Sequence, residues 1–117
     1  LYLAYCSRFL KPGGQIGIVV PGLLNEFEGE VPDHLAPYWL PEFWSFHSPE
    51  WWRRLWQRSG AVEVVSADTV PDGWKLWLMW LELCAKQGYP SGPQEAEMLR
   101  IDAGRNLGFT RIVAGKR

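Results

Sequence analysis

The chain has few of the residues that build metal centres, disulfide frameworks or nucleic-acid surfaces. Its 117 residues include 2 cysteines and 2 histidines, and its formal net charge is −1. Cys6 and Cys84 lie far apart and form no CxxC pair, so free, buried thiols are expected rather than a zinc site or a disulfide. A nearly balanced charge also gives no basic footprint for nucleic acid or an anionic membrane.

Long hydrophobic runs are missing as well. The longest one covers residues 74–85, and Lys75 and Glu82 interrupt it. A membrane-spanning helix needs about 20 apolar residues, so no span is predicted. No segment resembles a signal peptide. These absences favour a cytoplasmic protein in which residues 1–117 form a single domain without membrane or nucleic-acid partners.

Tryptophan, in contrast, is abundant, with 8 residues. Many of the aromatic residues fall within residues 23–47, a segment that also contains Pro32, Pro37 and Pro41. Proline excludes a long helix or a central strand here. The segment is therefore predicted to be an aromatic-rich loop or lid, since long loops in compact domains are often functional.

The remaining sequence alternates between helical and strand patterns. Ser48-Pro49-Glu50 is typical of a helix start, with a capping hydroxyl, a proline in the first turn and an acidic side chain at the positive end of the dipole. The predicted helices cover residues 1–10, 49–59, 74–87 and 94–107, the last closed by Gly108. The predicted strands cover residues 15–20, which Pro21-Gly22 ends, then 61–67 and 109–115.

The first predicted helix has no capping residue before it. Residues 1–10 show helical spacing from Leu1 onward, whereas a helix normally begins after a side chain that satisfies its unpaired N–H groups. We therefore expect the chain to start inside, or at the edge of, a helix that belongs to a longer protein.

The stretch FLKPGG at residues 9–14, followed by the apolar strand at 15–20, resembles the C-terminal half of class I S-adenosylmethionine-dependent methyltransferases. By the order of its elements, the resemblance covers essentially the whole chain. It implies an α/β fold, namely a partial Rossmann-like methyltransferase fold. Its small mixed sheet of three strands would have the order first, third, second, with helices on its faces.

The chain departs from that family at the cofactor site. The family holds S-adenosylmethionine with a glycine-rich GxGxG loop and an acidic residue after the second strand, and neither is present. Gly13-Gly14 precedes a strand, so no helix N-terminus follows it to receive an anionic group. The resemblance thus implies that the parent protein binds S-adenosylmethionine through a half that this chain lacks. Alone, the fragment is expected to be inactive and to bind neither cofactor nor metal.

Candidate site residues come from the aromatic loop. His34 and His47 are the candidates for a general base, which would suit methyl transfer to a weakly nucleophilic oxygen or nitrogen. If the loop roofs a pocket for a small-molecule substrate, the candidate substrate-binding residues are Tyr38, Trp39, Glu42 and Trp44, whose rings could stack on a flat or cationic group. The alternatives are structural or solvated histidines and aromatic rings that pack in the core.

The alternative function is a non-catalytic module that binds a small ligand or another protein through a Trp-rich surface.

The first strand and the apolar helices at 1–10 and 74–85 are expected to expose surface that the missing half would cover. A homodimer or higher oligomer is therefore predicted.

Overall fold

The computed structural model describes residues 2–90 and 92–117, and for Tyr2 it describes the backbone but not the side chain. Leu1, the first residue of the predicted N-terminal helix, lies outside them. The helices and strands follow in the order α1 (Tyr2–Ser7), β1 (Gln15–Leu23), two short 3-10 helices (Ala36–Tyr38 and Pro41–Ser45), α2 (Pro49–Arg58), β2 (Val62–Thr69), α3 (Gly73–Lys86), α4 (Gly92–Asp102) and β3 (Leu107–Lys116).

The three strands form one sheet in the order β1-β3-β2, as predicted. Both pairings are antiparallel, with Ile18 opposite Ile112 in one ladder and Ala67 opposite Ile112 in the other. The prediction of a mixed sheet is therefore wrong for these strands, because β3 runs against both of its neighbours. The fold is α/β in composition, with β1 and β2 as the edges of the sheet.

β1 continues past Pro21 and Gly22, where the sequence predicted its end. Pro21 stays in register opposite Phe109, and the strand ends at Leu23. Proline is tolerated here because β1 is an edge strand, where the missing N–H need not serve a second neighbour. The longer strand carries the chain directly to the start of the aromatic loop.

Two apolar clusters hold the elements together. One lies between a sheet face and helices α1 and α2, with Trp56, Val62, Ile112 and Ala114 buried at its centre. The other lies beneath the aromatic loop, α3 and α4, and its buried residues are Leu23, Leu35, Phe43, Trp77, Leu81, Ala96, Met98, Leu99 and Leu107. The aromatic loop thus packs, together with α3 and α4, on a second core at one end of the sheet.

The helix boundaries follow local chemistry more than the apolar pattern. Ser48 caps α2 as predicted, because its hydroxyl accepts a hydrogen bond from the backbone N–H of Trp51 at 3.2 Å. α4 ends at Asp102, five residues before the predicted end, and Ala103 and Gly104 follow it in the left-handed conformation. The carboxylate of Asp102 accepts hydrogen bonds from the backbone N–H groups of Asn106 and Leu107, and it thereby fixes the turn that follows the helix.

Both cysteines are free, as expected, but each is only partly buried. Among the described residues, no helix combines the length and the apolar character needed to cross a bilayer.

Candidate functional site

The two ends of the aromatic loop meet at the carboxyl end of β1. The backbone N–H of Leu23 donates to the carbonyl oxygen of His47 at 3.1 Å, and the hydroxyl of Thr110 donates to the same oxygen at 3.2 Å. A Cβ atom at Gly22 would lie 2.5 Å from that oxygen, so only glycine allows the approach. His47 is therefore fixed beside the end of the strand.

The imidazole of His47 is paired with Glu26, which comes three residues after β1 ends. Nδ1 of His47 lies 2.8 Å from Oε1 of Glu26, and the backbone N–H of Ser48 donates to Oε2. Burial acts to raise the pKa of Glu26, but the hydrogen bonds from His47 and Ser48 outweigh it and hold the pKa below its ordinary value of 4.5. An ionised carboxylate only accepts hydrogen bonds, so Nδ1 is the donor.

The other face of this arrangement is aromatic. The rings of His47 and Trp51 are stacked, with centroids 3.6 Å apart and planes within 8° of parallel. Trp51 lies in the first turn of α2, the turn that Ser48 caps. Carboxylate, indole and backbone thus fix the imidazole plane, while Nε2 has no hydrogen-bond partner among the described residues. A neutral ring that donates from Nδ1 offers a lone pair at Nε2.

The side chains that hold His47 also line an open cleft. A hollow of about 270 Å³ lies between the segment after β1 and the start of α2, and it is lined by Leu24, Asn25, Glu26, Ser48, Glu50, Trp51 and Arg54. Trp51 and Arg54 also line a wider groove of about 500 Å³ along α2. Glu50 and Arg54 are linked by a hydrogen bond of 3.2 Å, so the rim of the cleft carries both signs of charge.

His34, the second candidate base, lies in a different hydrogen-bonded group. Its Nε2 atom is 2.8 Å from Oδ1 of Asp102, whose side chain is fully buried. The side chain of Asn106 donates to the same oxygen, while the backbone N–H groups of Asn106 and Leu107 donate to Oδ2 at 2.9 Å. This group ties the loop to the turn between α4 and β3.

The charge at Asp102 is stabilised by these donors. Burial acts to raise its pKa, yet the hydrogen bonds from His34, Asn106 and the backbone together hold the pKa below the ordinary value of 3.8. Because an ionised Asp102 accepts from His34, the Nε2 atom of that ring is already engaged. The fully buried Asp102 suits His34 to a structural contact, and the nitrogen left over in that ring is Nδ1, next to Cβ. In His47 the nitrogen left over is the outer one, Nε2.

The four residues predicted to bind substrate are distributed differently. Trp39 makes edge contacts with Phe27, Phe43, Trp44 and Phe46, with ring centroids 5.4–6.2 Å apart. Its Nε1 atom is buried without a hydrogen-bond partner. Trp39 is thus the centre of an aromatic cluster above the core rather than a wall of the cleft described above.

The other three surround that cluster. Tyr38 is half-buried against the core beneath the loop, whereas Trp44 is 58% exposed. Glu42 is exposed, and after burial its negative charge is the second cause that raises the pKa of Glu95 on α4. Of the loop rings, Trp44 is the one with a large accessible face.

Sequence reasoning missed Glu26, Trp51 and Asp102. Glu26 had one available signal, since a polar residue shortly after a strand of an open α/β sheet lies where ligands bind. Trp51 and Asp102 had none, because their partners are fixed only by the folded chain.

Gly13-Gly14, the glycine pair of the FLKPGG turn, lies directly before β1. A Cβ atom at Gly14 would lie 2.8 Å from the carbonyl oxygen of Lys11, and the N–H of Gly14 donates to that oxygen at 2.8 Å. Glycine at position 14 is thus required by the turn into β1. In residues 2–90 and 92–117, no cluster of three or more His, Cys, Asp or Glu side chains could hold a metal ion.

No protein-family model and no curated protein matches this chain.

Proposed function

We propose that residues 1–117 are the C-terminal portion of an S-adenosylmethionine-dependent methyltransferase domain and form part of the substrate side of its cleft. The observation that carries the proposal is the strand order β1-β3-β2 with β3 antiparallel to both neighbours. In the fold that the FLKPGG turn resembles, the last strand is inserted in reverse between the fifth and sixth strands. β1, β2 and β3 correspond to those fifth, sixth and seventh strands.

The position of the cleft supports the same proposal. Ligands of open α/β sheets bind beyond the carboxyl ends of the strands. Glu26 and the backbone of His47 lie at the carboxyl end of β1, and the hollow of about 270 Å³ opens there. The methyl acceptor would enter this cleft, whereas the cofactor would be bound by residues outside this chain.

His47 is the proposed proton acceptor. A hydroxyl or protonated amine must lose its proton when it gains a methyl group, and a positioned imidazole is the side chain that most often accepts one. The proton would pass to Nε2, because Nδ1 already donates to Glu26. The negative charge of Glu26 would stabilise the imidazolium that forms, and the stack on Trp51 would hold its plane.

Calorimetric titration with S-adenosylmethionine tests the proposal. Residues 1–117 are expected to bind no cofactor, while a longer chain that carries the residues encoded before Leu1 is expected to bind it with micromolar affinity. Glu26→Gln and His47→Gln in the longer chain serve as controls, since neither residue is assigned to the cofactor. Micromolar binding to residues 1–117 alone, or none to the longer chain, would contradict the proposed function.

A further inference from the structure

Helix α3 carries an apolar stripe that nothing in the described chain covers. Leu76, Met79, Trp80 and Leu83 are each between 51% and 64% exposed. The opposite side of the helix is buried, with Trp77 and Leu81 in the core beneath the loop. Spacings of three, four and seven residues place the four exposed side chains on one face of the helix. A contiguous apolar face of this kind marks an interaction surface.

The stripe is complementary to itself. Two copies of α3 can be placed antiparallel, with the two-fold axis between positions 79 and 80. Each residue of the stripe then faces the partner residue for which the two residue numbers add to 159. Leu76 then lies opposite the partner's Leu83, and Met79 lies opposite the partner's Trp80. Aliphatic side chains meet each other, and a thioether meets an indole, a contact that is favourable in its own right. The whole stripe is used, and within it every apolar side chain faces another apolar side chain.

The charges at the ends of α3 fit the same arrangement. Asp72 precedes the helix and Lys86 ends it, and both are exposed. In the antiparallel register, Asp72 of one copy is one position away from the residue that faces Lys86 of the other copy. Two Asp–Lys ion pairs, one at each end, therefore flank the apolar centre. The helix dipoles are also opposed. A parallel pair would instead place like charges together.

From these observations we propose that α3 is the interface of an isologous homodimer, in which the apolar stripe packs against the same stripe of a second copy in antiparallel orientation. The inference does not rest on methyl transfer, and it assigns to a second copy the face of α3 that the resemblance assigned to the missing half. α3 packs against α4 and β3, whereas the strands that the proposed function adds would pair with the free edge of β1. A single helix pair buries less than a standard interface, so micromolar affinity is expected.

Sedimentation velocity over a micromolar concentration series measures the association. The chain is expected to pass from monomer to dimer, and Trp80→Glu is expected to weaken the dimer at least about tenfold because it removes a buried apolar side chain from each half. Val65→Glu is the matched control, since Val65 is 61% exposed on β2, outside the stripe. It should leave the association unchanged. Circular dichroism shows that each variant is folded.

The end charges test the register. Asp72→Lys and Lys86→Asp should each weaken the dimer by up to several-fold, as expected for exposed ion pairs, and the double variant should restore it. Losses that simply add in the double variant would overturn the antiparallel arrangement. A chain that stays monomeric at every concentration would overturn the proposal, and so would a dimer that resists Trp80→Glu. A dimer broken by Val19→Lys but not by Trp80→Glu would assign association to the edge of β1.

Discussion

The two histidine–carboxylate pairs use the same chemistry in opposite ways. Each joins a ring nitrogen to a carboxylate oxygen at 2.8 Å, and the two rings are almost equally accessible, at 23% for His34 and 24% for His47. The difference lies in the acid. The side chain of Asp102 is fully buried, whereas that of Glu26 is 42% exposed. Burial of the carboxylate, rather than of the histidine, separates the two pairs.

That difference decides what each pair can do. Asp102 serves four donors from His34, Asn106 and Leu107, so its contacts connect the loop, α4 and β3. Removing it would leave several donors without partners in a buried place. Glu26 serves only His47 and Ser48 beside an open cleft, where water can replace it. The first pair is built to stabilise the fold, and the second is free to contribute to chemistry.

The largest expected effect is on stability when the acids are removed. Asp102→Ala should lower the free energy of unfolding by about 3–5 kcal/mol, because it breaks a buried pair and leaves its donors unsatisfied. Glu26→Ala should cost about 1 kcal/mol or less, since its carboxylate is exposed. Urea denaturation followed by tryptophan fluorescence measures both. Where Asp102→Ala fails to fold, Asp102→Asn supplies the comparison, and equal losses for Asp102→Asn and Glu26→Gln would break the distinction.

Removal of the rings should follow the same order with smaller values. His34→Ala should cost about 2 kcal/mol because it deletes a hydrogen bond to a buried, charged acceptor. His47→Ala deletes a solvent-accessible hydrogen bond and the stack on Trp51, for a loss of about 1 kcal/mol. Urea denaturation measures both losses. The coupling between His34 and Asp102 is obtained by comparing His34→Ala, Asp102→Asn and the double variant that combines them. An additive double variant would contradict a direct role of the buried pair in stability.

Local sequence patterns predicted part of this structure, but they could not predict contacts between residues far apart in the chain. Ser48, Pro49 and Glu50 predicted the start of α2 because a helix cap depends on neighbouring residues. The order of the strands followed from the resemblance. The contact between His34 and Asp102 joins residues 68 positions apart, and no local pattern encodes such a pairing. The turn after α4 is fixed by the same carboxylate, so the early end of the helix was missed for the same reason.

Acidification should reduce the contribution of each carboxylate to the free energy of unfolding, and by different amounts. The pKa values of Asp102 and Glu26 are both held below their ordinary values of 3.8 and 4.5. A carboxylate with a lowered folded pKa stabilises the fold above its unfolded pKa, and that contribution is lost as the pH falls through the folded pKa. The stability difference between the unmodified chain and Asp102→Asn should therefore be constant above about pH 5 and shrink below the ordinary value of 3.8.

The matched comparison is Glu26→Gln. Its difference from the unmodified chain should begin to shrink at a higher pH, below 4.5, but with a smaller amplitude, because water screens the exposed carboxylate. Urea denaturation at several pH values between neutral and acid gives both curves. A difference for Asp102→Asn that grows on acidification would mean that this carboxylate does not stabilise the fold as an anion.

The smallest expected effect concerns the reactivity of the two rings. Diethyl pyrocarbonate acylates an imidazole nitrogen through its lone pair. Each ring has one nitrogen engaged by its carboxylate, Nε2 in His34 and Nδ1 in His47. The nitrogen that remains in His34 is Nδ1, which is hindered by the adjacent Cβ, whereas the one that remains in His47 is the outer nitrogen, Nε2. Exposure cannot separate the rings, because it is almost the same for both. His47 should therefore react a few-fold faster, a difference in barrier of about 1 kcal/mol or less. Peptide mapping by mass spectrometry after a short exposure at neutral pH gives the two rates in one sample. Asp102→Asn weakens the bond to Nε2 of His34 and should narrow the difference without changing the rate at His47. Faster labelling of His34 in the unmodified chain would mean that the outer nitrogen of His34, not that of His47, is the accessible one, and it would remove the basis for placing the proton acceptor at the end of β1.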